Sequence, residues 1–462
     1  MKSTRRQFLK SAAAVSLGFG GLHGCVSGGS ERAGATIDKG YGSLVSDPEK
    51  ILDLPAGFSY RIVSRAGERM DDGFHVPGKP DGMAAFAGEG GTTIVVRNHE
   101  ISSGAPGDAG PFGRENELSG NVHESQRYDV GVDGAPCLGG TTSFIYDTDA
   151  NRLESQYLSL AGTLRNCAGG PTPWDSWVTC EETVELPGKN CLKRHGYNFE
   201  VPARMEAYLA EPTPLVEMGR FNHEAIAVDP GSGIVYQTED RQDSCVYRFI
   251  PNEPGKLAKG GRLQALSIDG PGAKGVDTRN WTDRTLVPGE TKRARWVDLD
   301  DVDSEKDFLR YRAFDKGAAR FARGEGMWQG HDSIFFACTS GGRNKKGQIW
   351  RYTPSPLEGQ ADESDNPGAL ELFLEPNDGN LIENADNLTI APWGDVIVCE
   401  DSKGDNFLVG VTAQGAIYKL GHNRYNESEF AGATFSPDGK ALFVNIQHTG
   451  LTLAITGPWR GA

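Results

Sequence analysis

Phe221-Asn222-His223-Glu224 opens the run Ala225-Ile226-Ala227-Val228, Asp229-Pro230-Gly231 turns it, and Ile234-Val235-Tyr236 brings it back to Glu239-Asp240. Apolar runs on either side of a Pro/Gly/Asp turn predict a β-hairpin. The plan recurs. Asp386-Asn387 leads into Leu388-Thr389-Ile390, turns at Pro392-Trp393-Gly394, and returns through Val396-Ile397-Val398 to Glu400-Asp401. Gly432-Ala433 leads into Thr434-Phe435, turns at Ser436-Pro437-Asp438-Gly439, and returns to Gln447-His448. Glu325-Gly326-Met327-Trp328 leads toward Ser333 and returns to Thr339-Ser340. Two more segments carry only the second half: Thr93 to Val96 ending at Asn98-His99-Glu100, and Trp174 to Val178 ending at Thr179-Cys180-Glu181-Glu182.

These make six units at uneven spacing. An all-β, six-bladed β-propeller with loop and small helical insertions explains a repeated hairpin with a polar start and a polar end. A β-sandwich with accidental hairpin similarity is the competing architecture. Stretches 102–136, 183–215, 252–320 and 354–380 would supply outer strands and insertions. Composition agrees: 61 Gly and 25 Pro in 462 residues favour many short strands and turns over a helical bundle. A 37% hydrophobic share excludes a disordered chain. No uninterrupted apolar run reaches membrane-spanning length. The net charge of -16, without any long Lys/Arg run, excludes a nucleic-acid binder. An acidic protein that handled an anionic substrate would need bound cations to offset its own field.

Residues 1–24 read as an export signal. Thr4-Arg5-Arg6-Gln7-Phe8-Leu9-Lys10 precedes a mild apolar run from Ser11 to Leu22, the pattern of a twin-arginine signal peptide. Leu22-His23-Gly24-Cys25 resembles a bacterial lipobox, which would make Cys25 a lipid anchor. Simple cleavage near Gly24 is the alternative. Residues 25–40 follow as a flexible tether rich in Ser and Gly, and 41–462 as a single propeller domain. The expected partner is the twin-arginine machinery, the expected location the periplasm or cell envelope, and the expected state a monomer. The eight cysteines, at 25, 137, 167, 180, 191, 245, 338 and 399, show no disulfide framework and no paired Cys-x-x-Cys zinc motif. Most sit at strand-like positions, as small buried hydrophobes do.

In a propeller the inner strands converge on one channel, so polar residues at matching ends of the hairpins would meet near the axis. They are Asn98, His99, Glu100, Cys180, Glu181, Glu182, Glu224, Glu239, Asp240, Glu325, Asp386, Glu400 and Asp401. Converging carboxylates repel unless metals neutralise them. Their hard oxygens suit calcium, and a thiolate at Cys180 calls for a softer metal such as iron. In an extended strand Cys180 and Glu182 share a face while Glu181 points away. His99 and His223 fit hydrogen-bonding roles better than direct ligation.

Asn166-Cys167-Ala168-Gly169-Gly170-Pro171-Thr172-Pro173-Trp174, followed by Trp177-Val178-Thr179-Cys180-Glu181-Glu182, resembles the most distinctive stretch of the PhoX family of bacterial alkaline phosphatases. Phe221-Asn222-His223-Glu224-Ala225, Arg323-Gly324-Glu325-Gly326 and Asp386-Asn387-Leu388 are similar to its other blade motifs. The likeness covers nearly all of the chain from about residue 40 and points to its shorter members. It implies a six-bladed propeller and a phosphomonoesterase active at alkaline pH. It also implies a ferric iron pair bridged by a cysteine, with calcium ions beside it. Carried over by position, Cys180 would be the bridging ligand. Glu224, Asp240 or Glu239, Glu325, and Glu181 or Glu182 would hold iron or calcium, and Arg323 would grip a phosphate oxygen. Gly324 stands where the family commonly has Pro, and Thr183 where it has Asn, which leaves substrate preference open.

The sequence offers no Gly-x-Ser-x-Gly elbow, no Ser/His/Asp order and no phosphate-cradling Gly-x-x-x-x-Gly-Lys loop. Metal-assisted hydrolysis of a small phosphate ester is the expectation. A calcium-dependent lactonase or esterase propeller, which needs no thiolate, is the alternative chemistry. A binding propeller with purely structural calcium is the non-catalytic one.

Overall fold

Antiparallel pairing organises nearly every element, as the repeated hairpins predict. The computed structural model describes residues 36–270 and 274–460. The twin-arginine segment and Cys25 lie outside the described residues. The fold is all-β and propeller-like, with one α-helix, Leu309–Asp315, among the described residues. No helix among them is long and apolar enough to cross a membrane.

Six inner strands line the axis: Pro80–Ala87, Asn166–Pro171, His223–Val228, Gly324–Gln329, Ala385–Ile390 and Phe430–Phe435. Each packs against the next in chain order, and the last packs against the first. The Pro80 and Phe430 strands each head a four-stranded sheet, and the Asn166 strand heads a three-stranded one. The Ala385 strand heads a sheet that reaches Leu44–Val45. The sheet of the Phe430 strand ends in Ser59–Arg65, from the opposite end of the chain, which closes the ring.

The expectation of separate blades meets one correction. The His223 and Gly324 strands are the two ends of a single nine-stranded sheet. Thr291–Asp298, from the stretch expected to hold insertions, pairs with Gly261–Ile268 on one side and Ala369–Leu374 on the other. It satisfies two outer edges at once, which removes two exposed strand edges. The end strands of this sheet also pack on each other, so it nearly closes on itself.

Residues 36–40 are held rather than loose. Ile37 bridges Ile417, Asp38 pairs with Arg460 at 2.9 Å, and Tyr41 packs edge-on against Phe58 and Trp459. The held chain therefore starts ahead of the expected tether end at residue 40.

The inner strands share an irregularity that positions the site. Register slips between Pro80 and Met83, Asn166 and Gly169, His223 and Ile226, Gly324 and Met327, and Ala385 and Leu388. In each case two inner residues face one partner residue: Asp81-Gly82 face Asn98, and Cys167-Ala168 face Cys180. Glu224-Ala225 face Thr238, Glu325-Gly326 face Ala337, and Asp386-Asn387 face Cys399. These are β-bulges, which re-aim side chains beside functional sites. The Phe430 strand slips likewise between Ala431 and Thr434.

Close approach of the bulges needs small residues. A Cβ on Gly326 would lie 2.6 Å from the Leu388 amide nitrogen and 2.8 Å from Asn387 Cα, both backbone atoms of the next inner strand. Gly326→Ala should cost about 1–3 kcal/mol through overpacking, a loss of several degrees in Tm by thermal unfolding. A Tm within a degree of the parent would show that the ring is not packed this tightly.

Candidate metal centre

The first residue of each bulge carries the chemistry. Asp81, Cys167, Glu224, Glu325 and Asp386 occupy the same place on successive inner strands. Ligand atoms of Cys167, Glu182 and Glu224 all lie within 4.8 Å of one another. The same holds for Glu224, Glu325 and Asp386, and again for Asp386, Asp401 and Glu429. Glu224 and Asp386 are each shared, so the groups form a string across the pit. One end carries a thiol and the other only oxygen.

Side chains from other hairpins hold these bulges in place. The Asn98 side-chain amide donates to the carbonyls of Cys167 and Ala168 at 3.1 and 2.6 Å. The Thr238 hydroxyl donates to the Glu325 carbonyl at 2.6 Å, and the Asn445 amide to the Asp81 carbonyl at 2.7 Å.

The second strands of four hairpins follow a complementary rule. The last residue of each is tied into the sheet, and the residue after it turns to the pit. Glu181 accepts backbone N–H bonds from Leu164 at 2.9 Å, Gly196 at 2.8 Å and Tyr197 at 3.2 Å, and its Oε1 lies 2.6 Å from His195 Nδ1. Glu239 accepts from the Tyr247 hydroxyl at 2.9 Å and from the Cys245 N–H at 3.2 Å, beside Arg310. Glu400 accepts from the backbone of Glu383 and Phe407 and pairs with Lys419. His99 contacts the Gly78 carbonyl and the Thr142 hydroxyl. The following residues, Glu100, Glu182, Asp240 and Asp401, join the charge network of the pit instead.

Several expectations change as a result. Cys180 faces the bulge from behind and packs in an apolar cluster with Val178, Phe221 and Ile226. It belongs to none of the ligand groups; the thiol among them is that of Cys167, on the inner strand. Glu181 and Glu239 are committed to structural bonds, while their neighbours Glu182 and Asp240 face the site. Glu224, Glu325 and Asp386 come together as expected. Glu100 joins them at the rim, where it pairs with Arg165 at 2.7 Å. His223 has Nε2 2.9 Å from the Gly219 carbonyl, away from the groups. Sequence reasoning missed Asp81, Cys167, Arg165 and Glu429. The signal for Cys167 was its place at the start of an inner strand, matching that of Glu224 and Glu325.

Electrostatics make the pit untenable on its own. Burial pushes the Glu224 carboxyl well above its usual range, and Glu182 and Asp386 push it further. Burial and then Asp240 and Asp386 do the same to Glu325, and burial with Glu100 to Asp81. Burial first, opposed by Arg165 and reinforced by Asp240, lifts Glu182 to about 7. No hydrogen bond from the described residues reaches the carboxylates of Glu224 or Asp386. Glu325 Oε1 is buried without a well-aligned donor, although Arg323 Nη2 stands 2.9 Å away. Buried carboxylates with open lone pairs are the donor set a multivalent cation requires.

The counter-charges sit on strained backbone. Lys79, Arg165 and Arg323, with φ of 45°, 46° and 55°, each immediately precede an inner strand, as does Asn384 at 53°. Left-handed conformations cost a non-glycine residue roughly 1 kcal/mol. Arg323 is held by Asp240 through Nε and Nη2 at 2.8 and 2.9 Å. Arg165 donates from Nε to the Glu182 carbonyl at 2.9 Å and from Nη2 to the Glu182 carboxylate, and forms an ion pair with Glu100. Among the described residues, Nη1 of each arginine has no hydrogen-bond partner. An open cleft of roughly 440 Å³ lined by Arg165, Glu182, Asn222 and Arg241 leads to this rim.

The sequence matches the family described as Alkaline phosphatase PhoX over residues 39–134 and 146–450. The chain belongs to that family. It is a metal-dependent phosphomonoesterase. Among solved structures, PhoX of Pseudomonas fluorescens in complex with vanadate, a transition-state analogue, is 17% identical, with a TM-score of 0.61. The alignment covers 88% of this chain and 96% of that one. A gluconolactonase of Xanthomonas campestris aligns over 88% and 97% of the two chains at 13% identity and a TM-score of 0.40. No curated protein matches the sequence.

Glu181 tests the division between structural and pit-facing acids. Glu181→Gln should lower unfolding free energy by about 3 kcal/mol in denaturant titration, because it breaks a buried charge pair and unsatisfies backbone donors. A loss below about 0.5 kcal/mol, the level of an ordinary surface change, would remove it from that structural role.

Proposed function

We propose that this PhoX-family chain is an exported phosphatase on a six-bladed propeller, whose pit holds a ferric iron pair at its sulfur end and calcium at its oxygen end. Six inner strands in a closed ring support the blade count, with the nine-stranded sheet taken as two blades spliced through Thr291–Asp298. The Thr4-Arg5-Arg6 segment supports the export route.

The observation that carries the proposal is the string of ligand groups that runs from Cys167, Glu182 and Glu224, through Glu325, to Asp386, Asp401 and Glu429. A thiolate with carboxylates suits iron, and the carboxylate-only groups suit calcium. When bound, such cations supply Lewis-acid polarisation of the phosphate and neutralise charge in the transition state.

The protein's own groups do the rest. Arg323 is held by the Asp240 carboxylate, and Arg165 by the Glu182 backbone carbonyl at Nε and by carboxylates at Nη2, and each presents Nη1 as a spare donor for a phosphate oxygen. Because their partners fix them before substrate arrives, little side-chain entropy is lost on binding. Lys79, 3.8 Å from Glu100, adds positive charge on the same rim. The sulfur among the ligand atoms favours this reading over a calcium-only lactonase.

The two cysteines decide the matter. Cys167→Ala should lose iron, read by elemental analysis, and lower kcat/KM for a phosphate monoester by at least about a hundredfold. Cys180→Ala should keep metal and turnover, at a cost of about 1 kcal/mol in core packing. The reverse pattern would sink the assignment.

Arg165→Asn suits the left-handed backbone, so it should fold normally. It should lower kcat/KM roughly 10- to 100-fold, the worth of one charge-assisted bond. Unchanged kinetics in a folded variant would take Arg165 out of substrate binding.

A further inference from the structure

A second cluster of ligating side chains lies behind the pit, in two loops that each join strands within a sheet. Asp129, Cys191 and His195 are fully buried and offer ligand atoms within 4.8 Å of one another. Cys137, also buried, packs against Cys191 and Leu164. Burial pushes both thiols up, and His195 opposes it. Sequence spacing gives no zinc motif here, because the four residues come from segments 129–137 and 191–195 that only the fold brings together.

The geometry points to a structural zinc site built on Asp129, Cys191 and His195, with the adjacent Cys137, whose sulfur lies outside that 4.8 Å group, turning in as the fourth ligand, a site separate from the phosphatase pit. Two sulfurs, one imidazole nitrogen and one carboxylate oxygen are a tetrahedral zinc donor set, and softer in character than any calcium site. His195 Nδ1 lies 2.6 Å from Glu181 Oε1, the carboxylate-to-histidine contact that orients a metal-binding imidazole and leaves Nε2 for the metal. Nε2 stands 3.3 Å from Asp129 Oδ2. That is long for a charge-assisted hydrogen bond, which runs about 2.7–2.9 Å. It matches the roughly 3.3 Å edge between two tetrahedral ligands at about 2.0–2.1 Å from zinc. Asp129 is aimed by backbone N–H groups of Leu192 and Lys193, at 2.7 and 2.6 Å, so the cluster is built rather than incidental.

On binding, the two thiol protons and any proton on His195 Nε2 pass to solvent, while Nδ1–H keeps donating to Glu181. The metal would staple the 183–197 loop to the chain around Cys137. All four side chains are enclosed, so no position is open to substrate, which marks the site as structural.

Elemental analysis of full-length holoprotein, purified without chelators, tests this. About one zinc per chain should appear in the wild type and in Cys167→Ala, and should fall to background in Cys137→Ser and Cys191→Ser. Iron loss in Cys167→Ala with zinc retained separates this site from the pit. If the serine variants do not fold, cobalt(II) substitution of the Cys167→Ala protein replaces them, and sulfur-to-cobalt charge-transfer absorption with intense tetrahedral bands is expected. Wild-type protein without zinc overturns the proposal, as does a Cys137–Cys191 disulfide in a non-reduced digest by mass spectrometry, or cobalt protein without sulfur bands.

Discussion

Mutual repulsion among buried carboxylates is the constraint that the rest of the molecule answers. Asp81, Glu224, Glu325 and Asp386 converge on one axis, and burial first, then neighbouring carboxylates, raises the proton affinity of each. Water would screen such charges, but burial removes it. The backbone therefore has to be held against a force that pushes the inner strands apart. The clamps do this from outside the pit. Asn98, Thr238 and Asn445 each donate to the carbonyl of a bulge residue outside their own hairpin. These donors are themselves buried, so releasing them would leave unsatisfied groups. The ring is stiff because opening it at one strand breaks bonds that belong to the next.

The rim shows where the structure accepts strain. Lys79, Arg165, Arg323 and Asn384 adopt left-handed conformations that their side chains disfavour, at one repeated position. A glycine would fit more easily and could not carry charge. The repeat points to a shared geometric need: a turn into the bulge that lifts the preceding side chain over the pit. Three of the four places carry a cation, set against a larger number of acids below. The imbalance is a charge that bound multivalent ions would offset in the folded state.

How far the sequence could be read follows from the same bulges. Hairpins were legible because apolar alternation and Pro/Gly turns are local signals, and Glu224, Glu325 and Asp386 were legible because they open those hairpins. Simple alternation assigns faces by counting from the strand, and a bulge inserts one residue and shifts the count. Cys180 was therefore placed at the axis and Cys167 overlooked, although Cys167 holds the same position as Glu224 on its own strand. Glu181 and Glu239 failed for a related reason, since the last paired residue of a strand is spent on the sheet. Splicing of two sheets through Thr291–Asp298 had no local signature at all, because it rests on pairing between segments far apart in sequence.

The adjacent acids Glu181 and Glu182 show how the loops bear on the chemistry. At the end of one strand they face opposite ways. Glu181 meets His195 and the Gly196 and Tyr197 amides, while Glu182 meets Arg165 and the Cys167 group. A shift of the 183–197 loop would pull on Glu181, and the peptide between the two acids would carry that shift to Glu182 within a single residue. Arg165 would follow, because its Nε is bonded to the Glu182 carbonyl. The loop thus sets the position of one proposed ligand and one proposed phosphate-binding cation together. Only the end of this loop, His195 to Tyr197, is continuously buried, so its polar groups must find partners inside the protein, and Glu181 supplies them.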